Sequence, residues 1–225
     1  CVATKIIEPG MKTIYCISGL GADERAFSKL KVDGYALKVI NWLIPEPNET
    51  IEHYASRMRA GITEENPVLM GLSFGGMMCT EIAKQIPVSK IIIISSVKSS
   101  KELPLWMKAV ATLKLNKIVP LKSTRLTQPI QNKMLGVQTD EEKTLVAGLR
   151  REVDLPYTNW AVNQAINWKN NLQQPNIYHI HGDKDNMFPI KNIKADFTIK
   201  DGGHFMIMNK ANEVSACINS IMKQE

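Results

Sequence analysis

The chain has 225 residues, of which 44% are hydrophobic and 22% are charged, a balance typical of a folded protein with one buried core. It contains no apolar run of about eighteen residues, so we predict no membrane-spanning helix. The net charge is +6, but no phosphate loop, dinucleotide fingerprint or nucleic-acid-binding motif accompanies it, so we expect neither a cofactor nor a nucleic-acid partner.

The amino-terminal segment 1–10 lacks the basic start and the apolar core of a secretory signal. Met11 follows it directly, so these residues are compatible with an added or dispensable lead-in. The cysteines lie far apart and form no C-x-x-C pair, which favours free thiols, mostly buried, over a disulfide framework. Both observations favour a cytoplasmic location. The cysteines are Cys1, Cys16, Cys79 and Cys217.

Short apolar segments typical of β-strands alternate with helical patterns through both ends of the chain. The continuous run Ile91–Ile94 is typical of a strand buried on both faces, as in a parallel sheet flanked by helices. The pattern predicts an α/β fold with a mostly parallel sheet of about six strands. The predicted strands span residues 12–18, 35–42, 67–73, 90–97, 176–182 and 196–202.

Apolar residues at helical spacing predict amphipathic helices before and after the middle of the chain. The first stripe is Ile51, Tyr54, Ala55, Met58 and Ile62, and the second is Ile207, Ala211, Val214, Ile218 and Ile221.

The alternation stops between residues 98 and 174, where several helical patterns follow one another and no strand is predicted. Residues 139–142 read T-D-E-E, a capping box that predicts the start of a helix. We predict that 98–174 is a helical cap inserted after the fourth strand, and that 11–97 and 175–225 form the core. The apolar side chains of this cap either line a substrate pocket or pack its helices together. The candidates for substrate binding are Trp106, Met107 and Trp160.

The first part of the predicted cap, 98–126, is strongly basic, and Glu102 is its one acidic residue. Three interpretations remain open: a solvated surface that aids solubility, a docking site for an acidic acyl-carrier protein or a coenzyme A-linked substrate, or a face that lies on anionic lipid. The basic residues are Lys98, Lys101, Lys108, Lys114, Lys117, Lys122 and Arg125.

Ser73 lies between Gly71 and Gly75 in the segment G-L-S-F-G-G. An apolar strand pattern leads into it and a helical pattern follows, which is the context that a nucleophile elbow requires. Glycine neighbours allow a tight turn and a close approach of the helix. A plain helix cap is the other interpretation of this serine, so the rest of the chain has to supply a base and an acid.

His204 is the candidate base, because it follows the last predicted strand at the carboxyl edge of the sheet, where sites form in α/β proteins. Asp183 and Asp185 follow the preceding strand, and either is a candidate acid or a turn former. Of the other histidines, His53 is predicted on the exposed face of a helix, and His179 and His181 in a strand. The segment H-I-H-G-D-K-D places imidazoles and carboxylates at metal-ligand spacing, but it lacks the D-H pair that closes the metallo-hydrolase motif, so we expect no metal.

The order serine, aspartate, histidine resembles the α/β-hydrolase superfamily over essentially residues 12–223. In that family the loop with the acid commonly reads H-G-x-x-D-x-x-x-P, which His181, Gly182, Asp185 and Pro189 match. The resemblance therefore implies that Asp185 is the acid and that Asp183 is the second choice.

The same resemblance implies an oxyanion hole formed by the backbone N–H groups of Leu20 and Phe74. Ser18 stands where the family's loop commonly has histidine. This difference leaves the backbone donor in place, but it removes any polar contact that the histidine would make.

These residues predict a serine esterase that cleaves small or medium acyl esters through an acyl-enzyme. Alternatives that stay open are a thioesterase, a hydrolase of carrier-linked acyl esters, and a hydrolase-fold protein that binds a ligand without turnover. We expect a monomer or a homodimer.

Overall fold

The computed structural model describes residues 11–114, 127–151, 154–172 and 174–224. Six strands form one sheet in which every neighbouring pair is parallel, in the order β2-β1-β3-β4-β5-β6. The predicted parallel sheet is confirmed. The strands are β1 (Lys12–Ile17), β2 (Tyr35–Val39), β3 (Val68–Leu72), β4 (Lys90–Ile94), β5 (Ile177–Gly182) and β6 (Phe197–Ile199).

Several strands end earlier than the apolar pattern predicts. The positive φ angles of Ser73 and Ser95, 52° and 46°, turn the chain directly after β3 and β4. A residue at positive φ cannot continue an extended strand. The carboxyl edge of the sheet is therefore formed by polar turns.

Eight α-helices are described. Two of them, α1 and α2, precede β4, and four lie between β4 and β5. The helices are α1 (Ile51–Met58), α2 (Phe74–Ala83), α3 (Leu105–Thr112), α4 (Gln128–Leu135), α5 (Asp140–Arg151), α6 (Leu155–Ile166), α7 (Met206–Asn209) and α8 (Ala211–Met222).

The sheet is covered on both faces, as the continuous apolar strands predict. Alternate residues of one strand point to opposite faces. Leu69 and Ile91 pack on the side of α1 and α2, whereas Met70 and Ile92 pack on the side of α8. The two clusters form the core on which the polar loops of the carboxyl edge are held.

Both predicted helical stripes need correction. Helix α1 ends at Met58, and Ile62 lies beyond a short 3-10 turn in extended backbone. The second stripe is divided between α7 and α8, because Lys210 leaves helical geometry, with φ −123° and ψ 31°. A one-residue change of backbone direction does not alter the spacing of the apolar residues, so the sequence pattern does not reveal it.

The described part of the segment between β4 and β5 contains helices α3 to α6, in agreement with the predicted helical pattern, and it packs against the core through α6 and α2. The capping box is confirmed: Thr139 Oγ1 accepts from the Glu142 N–H at 3.2 Å, and Glu142 Oε2 accepts from the Thr139 N–H at 3.1 Å. After α6, the buried Trp168 donates its indole N–H to Glu81 Oε1 of α2 at 2.7 Å. The boundaries of a separate cap, 98 and 174, stay a prediction.

Cys16 and Cys79 are buried free thiols, as predicted, and Cys217 is free and half-buried. Cys1 lies outside the described residues. None of the helices in the described ranges has both the length and the apolar character needed to cross a bilayer. The cytoplasmic location stays a prediction.

Candidate active site

Ser73 occupies a strained turn between β3 and α2. Its φ is 52° and its ψ is −118°, a combination rare for a residue with a side chain. A side chain at Gly71 would collide with the backbone of Gly75, and one at Gly75 would collide with the carbonyl of Ile17. Glycine at both positions is therefore what allows the turn to pack against β1 and leaves Ser73 half-buried at the edge of the sheet.

The structure brings Ser73, His204 and Asp185 together. His204 Nε2 lies 2.9 Å from Ser73 Oγ, and His204 Nδ1 lies 2.8 Å from Asp185 Oδ2. The side chains of His204 and Asp185 are almost fully buried. Because a carboxylate only accepts hydrogen bonds, Nδ1 carries the proton, which leaves the Nε2 lone pair facing the serine hydroxyl.

Asp185 is held in place by the loop that follows it. Its Oδ1 accepts the backbone N–H groups of Met187 at 2.8 Å and Phe188 at 2.9 Å. Burial alone would raise the pKa of Asp185, but the charge and hydrogen bond of His204, with smaller contributions from His181 and the Phe188 N–H, hold the pKa below its ordinary value. The carboxylate is thus ionised, as an acid that orients a histidine has to be.

Asp183, the second candidate acid, forms neither a hydrogen bond nor an ion pair with His204 among the described residues. Its backbone N–H donates to Ile199 O at 3.1 Å, and its buried Oδ1 has no hydrogen-bond partner within the described part of the chain. The geometry therefore favours Asp185 over Asp183.

The loop after β1 lies against Ser73. A Cβ added to Gly19 would be 3.4 Å from Ser73 Cβ, so the next residue, Leu20, is close to the serine. The Leu20 N–H donates to no group in the described ranges. Phe74 is the first residue of α2, where backbone N–H groups have no partner within the helix. Within the described ranges no hydrogen bond occupies either backbone N–H, which is compatible with the predicted role of Leu20 and Phe74 as oxyanion donors.

Ser18 makes the polar contacts that the sequence left open. Its hydroxyl donates to Ala22 O at 2.6 Å and accepts the indole N–H of Trp42 at 3.0 Å. The first bond closes the turn that contains Leu20, and the second ties that turn to the loop after β2. Trp42 is a site residue that the sequence analysis missed, because it ends a strand pattern and carries no motif.

An aromatic cluster lines this side of the site. Trp42 stacks on Phe74 with 5.4 Å between ring centroids, and Tyr157 of α6 lies 5.2 Å from Trp42. Trp160 stacks on Tyr54 at 4.1 Å and donates its indole N–H to Glu49 O at 2.8 Å. Trp160 therefore packs inside the cluster that adjoins Ser73.

The other two predicted substrate-binding residues lie in α3. Met107 is buried and belongs to the same apolar cluster as Phe74 and Trp160. Trp106 is 41% exposed on the outer surface. Of the three residues, Trp160 and Met107 share the core cluster of the site, and Trp106 is the most exposed.

Helix α4 contacts both loops that carry the base and the acid. Leu135 O accepts the Phe205 N–H at 2.8 Å, next to His204, and Lys133 O accepts the side-chain amide of Asn186 at 3.0 Å, next to Asp185. The helical segment between β4 and β5 therefore helps to hold the triad loops.

Two groups of side chains have the composition of metal ligands. His179 and His181 use their facing ring nitrogens for each other, at 3.0 Å. Glu46, Glu49 and His53 converge on the surface near α1, but Arg57 Nη1 bonds both oxygens of the buried Glu49, at 3.0 and 2.8 Å. The guanidinium thus already supplies the positive charge that this carboxylate needs.

A surface depression of about 670 Å³ lies far from the triad. Arg59, Glu64, Pro67 and Ile86 are among the residues that line it, so it adjoins the amino end of β3, whereas Ser73 follows the carboxyl end.

No family model matches the sequence, and no curated protein matches it. Solved structures match the fold closely. An esterase from Exiguobacterium antarcticum is similar over 95% of this chain and 92% of its own, with a TM-score of 0.69 and 14% identity. A bromoperoxidase from Bacillus anthracis is similar over 95% of this chain and 92% of its own, with a TM-score of 0.67 and 15% identity. A lipase-esterase related protein from Clostridium acetobutylicum is similar over 93% of this chain and 94% of its own, with a TM-score of 0.67 and 15% identity. The chain has the α/β-hydrolase fold, as its sequence resemblance implied.

Proposed function

We propose that the protein is a serine hydrolase that cleaves carboxylic esters of small or medium acyl chains. The observation that carries this proposal is the unbroken series of contacts from Asp185 Oδ2 through His204 to Ser73 Oγ, at 2.8 and 2.9 Å. A histidine that accepts from a serine and donates to a buried carboxylate is the arrangement that activates a serine nucleophile.

The geometry supports a two-step reaction. Ser73 Oγ attacks the ester carbonyl carbon while His204 Nε2 takes the hydroxyl proton, and the carbonyl oxygen becomes an oxyanion. The backbone N–H groups of Leu20 and Phe74 stabilise that charge. The intermediate then collapses, the C–O bond to the alcohol breaks, and His204 returns the proton to the leaving oxygen.

Deacylation repeats the same proton transfers with water. His204 Nε2 takes a proton from a water molecule that attacks the acyl carbon, and then protonates Ser73 Oγ as the acid product leaves. Asp185 keeps its charge throughout and stabilises the imidazolium that forms in each half of the reaction.

The preference for small or medium acyl chains rests on the aromatic cluster. Trp42, Phe74 and Trp160 fill the space beside the oxyanion loop with rigid rings, and large rings leave little room for a long chain. The name bromoperoxidase on one structural neighbour illustrates that the fold alone does not determine the reaction.

A thioester or carrier-linked acyl substrate is the second candidate, and the exposed lysines in and beside α3 favour it. Lys101, Lys108 and Lys114 are exposed, whereas Lys98 is paired with Asp196 at 2.8 Å. Lys117, Lys122 and Arg125 lie outside the described residues. If an acidic carrier docks here, added salt should raise KM for a carrier-linked or coenzyme A substrate and leave KM for a neutral ester unchanged. If added salt changes KM equally for both kinds of substrate, the basic residues form only a solvated surface.

Covalent labelling tests the proposed chemistry directly. A fluorophosphonate probe should add to Ser73, and peptide mass spectrometry should locate the adduct on the peptide that contains residue 73. Labelling should disappear in Ser73→Ala and after heat unfolding. A protein that binds a ligand without turnover would take up the probe no faster than its Ser73→Ala variant.

A further inference from the structure

A buried pair of histidines lies behind the triad acid. His179 and His181 are two residues apart in β5, so their side chains share one face of the sheet. Both are fully buried, and His179 Nε2 lies 3.0 Å from His181 Nδ1. At the other end of the pair, His181 Nε2 lies 2.8 Å from Phe188 O and 3.6 Å from Asp185 Oδ2.

The carbonyl oxygen of Phe188 determines which ring nitrogens of His181 and His179 carry a proton. Phe188 O can only accept, so His181 carries its proton on Nε2. A neutral His181 then has a lone pair on Nδ1, and His179 must donate to it from its own Nε2. His179 Nδ1 is left without a proton, and it makes no well-formed hydrogen bond among the described residues, although the nearby Ser96 backbone partly offsets the lowering of the pKa of this imidazole. Burial, the main cause, lowers the pKa of both imidazoles, which agrees with a neutral pair.

This arrangement acts on Asp185 in two ways. The His181 N–H bonds the carbonyl of Phe188, whose own N–H donates to Asp185 Oδ1, so it fixes the loop that holds the carboxylate. The same N–H lies near Asp185 Oδ2, the oxygen that accepts from His204. Without it, the carboxylate would lose a nearby dipole and part of the support for its loop.

We infer that His181, kept in its Nε2–H form by His179, is a positioning residue that sets the orientation of Asp185 and through it of His204. The kinetic part of this inference rests on the proposed hydrolase function, whereas the proton positions do not. The charged groups around the pair are Asp185 and His204 on the site side, and Lys98 and Asp196 on the other.

The experiment compares two variants of His181. His181→Leu removes the donor, and His181→Gln keeps an amide N–H at a similar distance from the backbone. With a small neutral ester, His181→Leu should lower kcat about 10-fold to 100-fold, the range for groups that orient a site residue through hydrogen bonds. KM should change little, because His181 does not face the substrate. His181→Gln should restore most of kcat, and His53→Gln, on the exposed face of α1, is the matched control.

Imidazole NMR on protein labelled with ¹⁵N-histidine gives a reading independent of turnover, and the chain has only four histidines to assign. The wild type should show His179 and His181 protonated on Nε2 alone. The His204 Nδ1–H resonance should be shifted or broadened in His181→Leu and restored in His181→Gln. If His181→Leu fails to fold, the wild-type tautomers and the kinetics of His181→Gln still test whether His181 positions Asp185.

Two results would overturn the inference: a wild-type His181 protonated on Nδ1 rather than Nε2, or a folded His181→Leu with wild-type kcat and an unchanged His204 resonance. A wild-type protein without Ser73-dependent activity would instead refute the proposed function. The NMR comparison would then still decide whether His181 positions Asp185 and His204.

Discussion

The hydroxyl of Ser96, just beyond β4, donates a hydrogen bond to the backbone carbonyl of Ser73 at 2.6 Å. The Gly76 N–H donates to the same carbonyl at 2.9 Å, and the Ser73 N–H donates to Ile94 O at 2.9 Å. The strained turn at Ser73 is therefore held from β4 as well as from its own helix. Ser96 carries no motif, so the sequence alone did not identify it.

Ser96→Ala should lower the free energy of unfolding by about 1 kcal/mol, because it removes one buried hydrogen bond. It should also lower kcat, since the turn that orients Ser73 loses one of its supports. Ser95→Ala is the matched control: Ser95 is equally buried, but its hydroxyl has no hydrogen-bond partner among the described residues. Urea unfolding and ester kinetics on both variants measure the difference, and equal effects would show that the Ser96 contact is unimportant.

Replacement of each aspartate in turn separates the two candidate acids. Asp185→Asn should lower kcat by several orders of magnitude, because an amide can hold the wrong tautomer of His204. Asp183→Asn should keep near-normal turnover, because Asp183 forms neither a hydrogen bond nor an ion pair with His204 in the described structure. Steady-state kinetics on a chromogenic ester measures both. The reverse pattern would assign the acid to Asp183 and leave the fold unchanged.

Stability should fall as the pH drops below the ordinary histidine pKa of 6.5, because burial lowers the folded-state pKa of both His179 and His181. Between the folded and unfolded pKa values the unfolded chain binds more protons, so the free energy of unfolding rises with pH in that range. Each such group adds at most about 1.4 kcal/mol per pH unit.

His179→Gln should make this dependence shallower, because it removes one of the two buried imidazoles and keeps a donor toward His181. Urea unfolding at pH values from about 7.5 to about 5 measures the slope. An equally steep slope in His179→Gln would mean that burial of this histidine does not govern the acid sensitivity.

Trp160 should limit the length of the acyl chain. Trp160→Leu should raise kcat/KM for a hexanoyl ester relative to an acetyl ester at least about tenfold, the factor for accommodating one additional methylene. Trp106→Leu is the control, because Trp106 is exposed on α3 outside the aromatic cluster. Rates across a series of acyl esters measure the effect. An unchanged chain-length preference in Trp160→Leu would place the acyl group elsewhere.

The sequence predicted the sheet, and it indicated Ser73 and His204, because these features depend on local patterns, whereas the choice of Asp185 over Asp183 came from the family resemblance. Continuous apolar strands, glycines around a serine and an H-G-x-x-D loop can each be recognised within about ten residues. The predicted end of β4 was too late in the chain, because no feature of the sequence reveals the positive φ angle of Ser95.

The supporting contacts of the site join residues that are distant in the chain. Three hydrogen bonds connect different strands and loops: Ser96 to Ser73, Trp42 to Ser18, and Phe205 to Leu135. No spacing rule links such pairs, so only the fold reveals them. The His179–His181 pair is an intermediate case, because residues two apart in a strand share a face, but their bond to the acid loop depends on the turn after β5.

The central claim is that Ser73 is the nucleophile of an ester hydrolase. Its most direct measurement is kcat/KM for a small chromogenic acyl ester with the wild type and with Ser73→Ala, both shown by circular dichroism to be folded. The wild type should turn over the ester, and Ser73→Ala should lose at least about a thousandfold in rate. A folded Ser73→Ala protein that keeps half of the wild-type rate would contradict the claim.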